Sequence, residues 1–213
     1  MNKILALTTI GNTAALKEAV EEIKREYGDI LEVMKVYLHE YDSPDISLEP
    51  IEKAIDEADI ILVDIRGDVR IARELPRMLE GKDKTVVVLV AGGQHIWALT
   101  KMGKFRGDKI FTGKEREFNI HTYVKTKKFS NLIKRLGTVL PFGMLVDMRN
   151  WVLAQQYYLE GDPENLRDLL LFLLKRYGGV KEIKKVPPPK QRLPYGLYMP
   201  KVGMCKDLLE YKR

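Results

Sequence analysis

The sequence is poor in cysteine and histidine, and it has no long hydrophobic run. Its single cysteine, Cys205, cannot form an intrachain disulfide or a thiolate cage for a metal ion. The three histidines, His39, His95 and His121, lack a second ligand at metal-site spacing. No window approaches the roughly 20 apolar residues of a membrane-spanning helix, and the N-terminus does not resemble a signal peptide. We therefore expect a cytoplasmic protein with no metal site and no membrane contact.

Catalytic signatures are also missing. No Ser-His-Asp or Cys-His arrangement, and no isolated pair of carboxylates in apolar surroundings, can be argued from spacing. The double glycine Gly92-Gly93 is neither a Walker pattern nor a complete dinucleotide-binding pattern. The sequence thus predicts no cofactor bound by a recognised motif.

Charge is abundant and unevenly distributed. Residues 1–100 contain 12 Lys and Arg against 19 Asp and Glu, whereas residues 101–213 contain 24 against 11. The basic second half predicts an anionic partner, which could be nucleic acid, phosphate, a carboxylate-rich small molecule or an acidic protein. A charged content of 31% also favours a thermophile origin, because surface ion-pair networks are common in proteins from hot environments.

Four short apolar segments alternate with helical patterns in the first hundred residues. The predicted strands cover 3–9, 31–38, 60–65 and 85–91. One predicted helix begins after Gly11-Asn12-Thr13, and two more cover about 50–58 and 69–80. Near-continuous apolar strands separated by amphipathic helices require burial on both faces, so the predicted fold class is α/β. We expect a doubly wound parallel sheet of about four strands, Rossmann- or flavodoxin-like, in the order 2-1-3-4.

The strand pattern disappears after about residue 94. A short helix is predicted within 94–102, and longer helices at about 120–136, 145–160 and 163–177. Residues 180–213 are basic and proline-rich and should lie extended on the rest of the protein or on a partner. The predicted domains are a parallel α/β domain (1–103), a helical extension packed on it (104–179) and an extended tail (180–213).

Candidate ligand-binding residues lie where the predicted strands end, because ligands of such sheets bind beyond the carboxyl ends of the strands. They are Thr9, Asp64, Arg66, Gly67, Gly92, Gly93 and His95. Each has a structural alternative. Asp64 and Arg66 could pair with each other or cap the next helix, the double glycine could be a simple turn, and His95 could serve packing.

Aromatic and basic residues in the second half have structural interpretations as well. Trp97, Trp151, Tyr157 and Tyr158 fall within helical patterns and are predicted to pack in the core. The basic residues of 125–135 are typical of a solvated helix face.

Several segments, in order, carry a resemblance to a known family. They are 63–67 (VDIRG), 140–143 (LPFG), 149–154 (RNWVLA), 157–166 (YYLEGDPENL), the Leu-rich stretch that follows, and 194–200 (PYGLYMP). Together they resemble the N-terminal region of the cobaltochelatase large subunit, which is related to the magnesium chelatase H subunit. The chain departs from this pattern at Met199, where the family often has histidine, and a thioether cannot act as a base.

The resemblance implies a function in metal insertion. Family members bind a tetrapyrrole and insert cobalt or magnesium with an AAA+ partner complex, so ATP would act only through that partner. The expected partners are a tetrapyrrole from cobalamin or related biosynthesis, the remaining chelatase body and the AAA+ subunits. Because the chain ends where the body would begin, we do not expect ligase-type catalysis by this chain alone.

Three alternatives remain open. The chain could be a non-catalytic interaction module whose tail recognises a protein, and this predicts that the fold survives removal of the tail. It could, on fold grounds alone, be a nucleotide- or anion-binding α/β domain. Nucleic-acid binding ranks lowest, because the basic residues are not interleaved with aromatic stacking platforms.

Overall fold

A six-stranded sheet, ordered β2-β1-β3-β4-β5-β6, forms the centre of the fold. A computed structural model describes residues 1–9, 13–111 and 143–191, and the backbone of 197–199 and 203–205. The strands of this sheet are β1 (Asn2–Thr8), β2 (Leu31–Tyr37), β3 (Ile60–Ile65), β4 (Thr85–Ala91), β5 (Lys101–Met102) and β6 (Phe105–Arg106). A separate antiparallel pair consists of β7 (Leu197–Met199) and β8 (Gly203–Cys205).

The first four strands are parallel and follow the predicted order 2-1-3-4. The α/β class and the mostly parallel, Rossmann-like sheet are confirmed. The expectation that strands cease after about residue 94 is wrong, because β5 and β6 extend the sheet as an antiparallel hairpin. Each has two residues, which is too short to leave a period-2 pattern in the sequence.

Six helices among the described residues cover the two faces of the sheet. They are α1 (Thr13–Tyr27), α2 (Glu49–Glu57), α3 (Arg70–Leu79), α4 (Gln94–Trp97), α5 (Met144–Glu160) and α6 (Pro163–Tyr177). One core joins the sheet to α2 and α3, and the other joins it to α1, α5 and α6. Strand residues alternate between the cores, so that Ile61 and Val63 enter the first while Ile60 and Leu62 enter the second. No helix of the described residues is long and apolar enough to cross a membrane.

The junction between α5 and α6 contains residues typical of helix ends. Gly161 ends α5 in the left-handed conformation, with φ of 65°. The Asp162 side chain accepts the Asn165 backbone N–H at 2.8 Å, and Pro163 occupies the first turn of α6. These contacts turn the chain so that both helices pack on the same face of the sheet.

A bulge in β4 lies where the sheet contacts α5. The register shifts between Val63 and Asp64, where β4 contains one extra residue, Leu89. Next to it, the indole N–H of Trp151 donates to the backbone carbonyl of Val88 at 2.8 Å. The ring of Trp151 packs against those of Trp97, Phe105 and Phe111 at centroid distances of 5.4–5.8 Å. The predicted core role of Trp151 is therefore confirmed, and it ties α5 to the sheet.

Residues 180–191 lie extended along α5 and α6. This agrees with the expectation that the tail lies on the rest of the protein. Ile183 is buried at 1% exposure, and the Tyr157 hydroxyl donates to the carbonyl of Pro187. Asn165 donates to the carbonyl of Lys190 at 3.0 Å and accepts the Lys190 backbone N–H at 2.9 Å. The pairing of β7 with β8 shows that part of the remaining tail forms a short ladder rather than a purely extended chain.

The division into three domains stays a prediction. Its first boundary, between 103 and 104, falls in the turn that joins β5 to β6, and α5 and α6 share a core with the sheet. The predicted helix at 120–136, His121 and the basic residues of 125–135 lie outside the described residues.

Candidate functional site

The predicted residues at the carboxyl edge of the sheet are joined by hydrogen bonds. The Thr9 backbone N–H donates to the carbonyl of Asp64 at 2.9 Å, and the Thr9 hydroxyl approaches the same oxygen at 3.3 Å. The Arg66 backbone N–H then donates to the Thr9 hydroxyl at 3.0 Å. Thr9 thus continues the contact between β1 and β3 beyond the last ladder pair, and it fixes the backbone at Arg66.

The Asp64 carboxylate is buried and bound from two sides. Its side chain is 2% exposed, and it accepts Arg66 Nε at 2.9 Å and Arg66 Nη2 at 3.2 Å. The Tyr158 hydroxyl of α5 donates to Asp64 Oδ2 at 2.7 Å. The structural alternative of an Asp64–Arg66 pair is therefore present. The Arg66 side chain nevertheless remains 47% exposed, so the pair leaves part of the guanidinium facing solvent.

Tyr158 stays a hydrogen-bond donor over the whole physiological pH range. Burial and the Asp64 carboxylate both raise the pKa of Tyr158 well above its ordinary value of 10.0. The Thr8 hydroxyl is also hydrogen-bonded to Tyr158. The bond to Asp64 likewise raises the pKa of Arg66, so its guanidinium keeps its positive charge. These side chains, Thr8, Tyr158, Asp64 and Arg66, form what we call the edge network.

A small apolar cavity lies behind the edge network, between the sheet and helices α1 and α6. Its volume is about 40 Å³, and Leu16, Leu62 and Leu170 are among its apolar walls. That volume admits a few water molecules, whereas pockets for small-molecule ligands enclose about 300–1,000 Å³. A ligand at this edge would therefore contact the outer surface of the network.

The predicted glycines allow two turns to approach each other closely. Gly67 has φ of 89°, a conformation that favours glycine, and the Gly92 backbone N–H donates to the carbonyl of Ile65 at 3.0 Å. A Cβ at Gly92 would lie 3.1 Å from the Gly67 backbone nitrogen. A Cβ at Gly93 would lie 2.7 Å from the His95 ring, which packs over it. The turns after β3 and β4 thus lie side by side.

The structure brings all seven predicted residues to one edge of the sheet. Thr9, Asp64 and Arg66 are directly bonded, Gly67 and Gly92 are in contact, and His95 lies against Gly93. Their role in ligand binding stays a prediction. Within the described residues, no group of three His, Cys, Asp or Glu side chains could hold a metal ion.

Sequence reasoning missed the contribution of Tyr158. It follows the core residue Tyr157 in α5 and was assigned to packing, but its hydroxyl reaches a carboxylate 94 positions earlier in the chain. No local pattern reports such a contact, because it depends on how α5 crosses the sheet.

Similarity to known proteins identifies the family of this chain. A model of the family described as a domain of unknown function (DUF3479) matches residues 4–152, which include all of the main sheet except the first two residues of β1, together with part of α5. The chain belongs to this family. The DUF3479 domain is the N-terminal domain of the family that comprises the cobaltochelatase large subunit and the magnesium chelatase H subunit. The resemblance carried by the sequence motifs is confirmed.

One solved structure similar to this DUF3479 chain is the catalytic subunit of cobaltochelatase from Mycobacterium tuberculosis. The two share 17% identity with a TM-score of 0.41, over 95% of this chain and 12% of that subunit. The chain therefore spans about an eighth of the length of that subunit. No curated protein sequence matches the chain.

Proposed function

We propose that this chain is a cytoplasmic, non-catalytic N-terminal domain of a chelatase-type large subunit, and that Arg66 receives one carboxylate of a tetrapyrrole substrate. The observation that carries the proposal is the half-exposed Arg66 guanidinium held by the buried Asp64 carboxylate at 2.9 and 3.2 Å. Membership of the chelatase family supplies the class of ligand.

The geometry of Arg66 suits recognition of a carboxylate. Its two bonds to Asp64 use two of the five N–H donors of a guanidinium, and the remaining donors can bind an incoming acid in a planar, charge-assisted arrangement. Asp64 and Thr9 hold the side chain and the backbone of Arg66 before any ligand arrives. Such preorganisation lowers the entropy that binding would otherwise cost.

The rest of the tetrapyrrole would be held outside this domain. The cavity behind the network, at about 40 Å³, is roughly a tenth of the smallest usual ligand pocket. We therefore assign this domain a positioning contact at the rim of the macrocycle. The ring, the metal and the ATP-driven AAA+ partner would be contacted by the chelatase body, in cobalamin or related tetrapyrrole biosynthesis.

A second candidate function is docking to another protein without any small ligand. It is favoured by residues 180–191, in which the side chains of Lys181, Lys184, Lys185 and Lys190 are exposed while the backbone is fixed to the helices. An acidic surface of the chelatase body or of a partner subunit would complement these lysines.

Titration with free and esterified tetrapyrroles separates these functions. We would add metal-free corrinoid acids, protoporphyrin and protoporphyrin dimethyl ester to the chain, and follow absorbance and fluorescence at low and moderate salt. The ester has the same ring but no carboxylate. We expect saturable binding of an acid, and weaker binding of the ester.

Variants at Arg66 then locate the contact. Loss of a charged, bidentate bond corresponds to about 10–100-fold in Kd, so Arg66→Gln should weaken binding by that factor and Arg66→Lys by less. Arg73→Gln removes the same charge from an exposed residue on α3 and serves as the matched control. Equal affinities for the acid and the ester, or equal losses in Arg66→Gln and Arg73→Gln, would refute the role of Arg66. Absence of any binding would favour docking.

A further inference from the structure

A second, larger cleft lies at the opposite edge of the sheet, where β3 and β4 begin. It has a volume of about 330 Å³ and is bounded by the start of β4, the β5–β6 hairpin and the end of α6. Lys84, Thr85, Lys101, Arg106 and Tyr177 contribute to its walls, together with the carboxylates of Asp59 and Asp83. The size lies within the range of small-molecule sites, and the walls are mainly polar.

Two of its three cations have no carboxylate partner among the described residues. Lys101 Nζ is neutralised by Asp83 at 2.9 Å. By contrast, Lys84 Nζ donates to the backbone carbonyl of Asp56 at 2.6 Å, and Arg106 Nη1 donates to the carbonyl of Gly103 at 2.6 Å. Carbonyl oxygens satisfy hydrogen bonds but do not cancel charge. The lining therefore carries three cations against the two carboxylates of Asp59 and Asp83, which leaves the cleft with a net positive charge of one.

The hairpin that carries Lys101 and Arg106 is held by a partly buried network. Asp147 of α5 accepts the Tyr177 hydroxyl at 2.8 Å and the Lys104 backbone N–H at 2.7 Å. Asn150 donates to the Tyr177 hydroxyl at 3.0 Å. A Cβ at Gly103 would lie 2.5 Å from Asp147 Oδ2, so the hairpin turn sits directly against the carboxylate. The hairpin cannot move away from the cleft without breaking these bonds.

The charges in the cleft favour an oxyanion over a metal cation. Asp59 Oδ2 accepts the Lys3 backbone N–H at 2.8 Å, and Asp83 is paired with Lys101. The lysine and the arginine also reduce the pKa of the Asp83 carboxyl, through the bond to Lys101 and the charge of Arg106. In the part of the chain that the structure describes, these carboxylates do not belong to any group of three His, Cys, Asp or Glu side chains that could hold a metal ion.

We infer that this cleft binds a small molecule through an oxyanion group that lies between Lys84 and Arg106. The group is a phosphate or a carboxylate carried by a compound small enough for the cleft. This site is independent of Arg66 and of the tetrapyrrole proposal, because it lies at the other end of the strands. Lysine supplies a point charge and arginine supplies a directional fork, a combination common in oxyanion sites.

The test uses the full chain, labelled with ¹⁵N, and two probes at low salt. Pyrophosphate represents phosphate compounds and citrate represents polycarboxylates. We expect saturable shifts of the amide signals of Thr85, Lys101 and Arg106 with one or both probes. Preference for pyrophosphate would assign the site to phosphate compounds, and preference for citrate would assign it to polycarboxylates.

Matched variants decide whether the cleft is responsible. Arg106→Gln and Lys84→Gln should each weaken binding about ten-fold, since each removes one charged contact. Lys17→Gln, on the outer face of α1 and 76% exposed at the side chain, changes the net charge equally and should have no effect. Lys84→Gln leaves the hairpin contacts of Arg106 intact, so it remains informative if Arg106→Gln disturbs the fold. No saturable shift, or equal weakening in Lys17→Gln, would overturn the inference.

Discussion

Replacing Tyr158 with phenylalanine tests whether the edge network stabilises the fold. The change removes one hydroxyl and keeps the ring against the α1–α6 side of the sheet. It deletes the 2.7 Å bond to Asp64 Oδ2. Hydrogen bonds to charged groups contribute about 1.5–3 kcal/mol, so the free energy of unfolding should fall by about that amount.

The environment of Asp64 places the expected loss in the upper part of this range. Without the tyrosine, Asp64 Oδ2 retains only Arg66 Nη2 at 3.2 Å, which is a longer bond than the 2.9 Å bond from Nε to Oδ1. The side chain is 2% exposed, so water has little access to replace the lost donor. For a chain of this length, about 2–4 °C per kcal/mol and a loss of about 2–3 kcal/mol predict a decrease in Tm of roughly 4–12 °C.

Urea unfolding followed by far-ultraviolet circular dichroism measures this loss. Tyr41→Phe is the control, because the Tyr41 hydroxyl has no hydrogen bond among the described residues. Tyr41 instead accepts Arg70 Nη1 at its backbone carbonyl, at 3.5 Å, and the substitution keeps that carbonyl. We expect Tyr158→Phe to lower the midpoint with an unchanged m-value, and Tyr41→Phe to leave the midpoint nearly unchanged. If the two variants unfold at the same urea concentration, the bond between Tyr158 and Asp64 does not stabilise the fold, and the network does not fix Arg66.

Three further predictions concern other features. Gly92→Ala should lower the free energy of unfolding by about 1–3 kcal/mol in the same urea assay, because its Cβ would lie 3.1 Å from the Gly67 nitrogen. Trp151→Phe should cost about 1–3 kcal/mol beyond the lost ring area, since the buried Val88 carbonyl loses its 2.8 Å donor. Burial raises the pKa of Tyr157 to about 12, above the ordinary 10.0, so stability should be complete below pH 10 and decline towards pH 12. Tm measured against pH should show this decline, and Tyr157→Phe should make it shallower.

The first hundred residues could be predicted from sequence because their pattern is local. The strands β3 and β4 were predicted at their observed bounds, 60–65 and 85–91, since each is a mainly apolar run between polar turns. Their order follows from the rules for parallel α/β folds. The β5–β6 hairpin was not predictable, because its two pairs depend on the closeness of β4 rather than on any preference of Lys101 or Met102.

The site was predictable only to the level of its backbone position. Strand ends identify Thr9, Asp64 and Arg66 as neighbours, because parallel strands finish at the same edge. The sequence does not tell whether Asp64 binds a ligand or Arg66, since both arrangements use the same two residues. The Tyr158 hydroxyl occupies the other side of the Asp64 carboxylate, so that Asp64 is bound by Arg66 and Tyr158. The position of Tyr158 depends on the packing of α5, which the sequence does not report.

The tail hypothesis needs revision on physical grounds. It predicted that the fold would survive loss of residues 180–213, but Ile183 is 1% exposed and belongs to the core formed with α1, α5 and α6. Asn165, itself 1% exposed, would lose both of its bonds to Lys190 and would keep only the side-chain bond to Asp162 among the described residues. The backbone of 180–191 is consequently unavailable for wrapping a partner. An interaction through this segment would therefore use its exposed lysine side chains and would weaken steeply with salt, because exposed charges are screened within about 10 Å at moderate ionic strength.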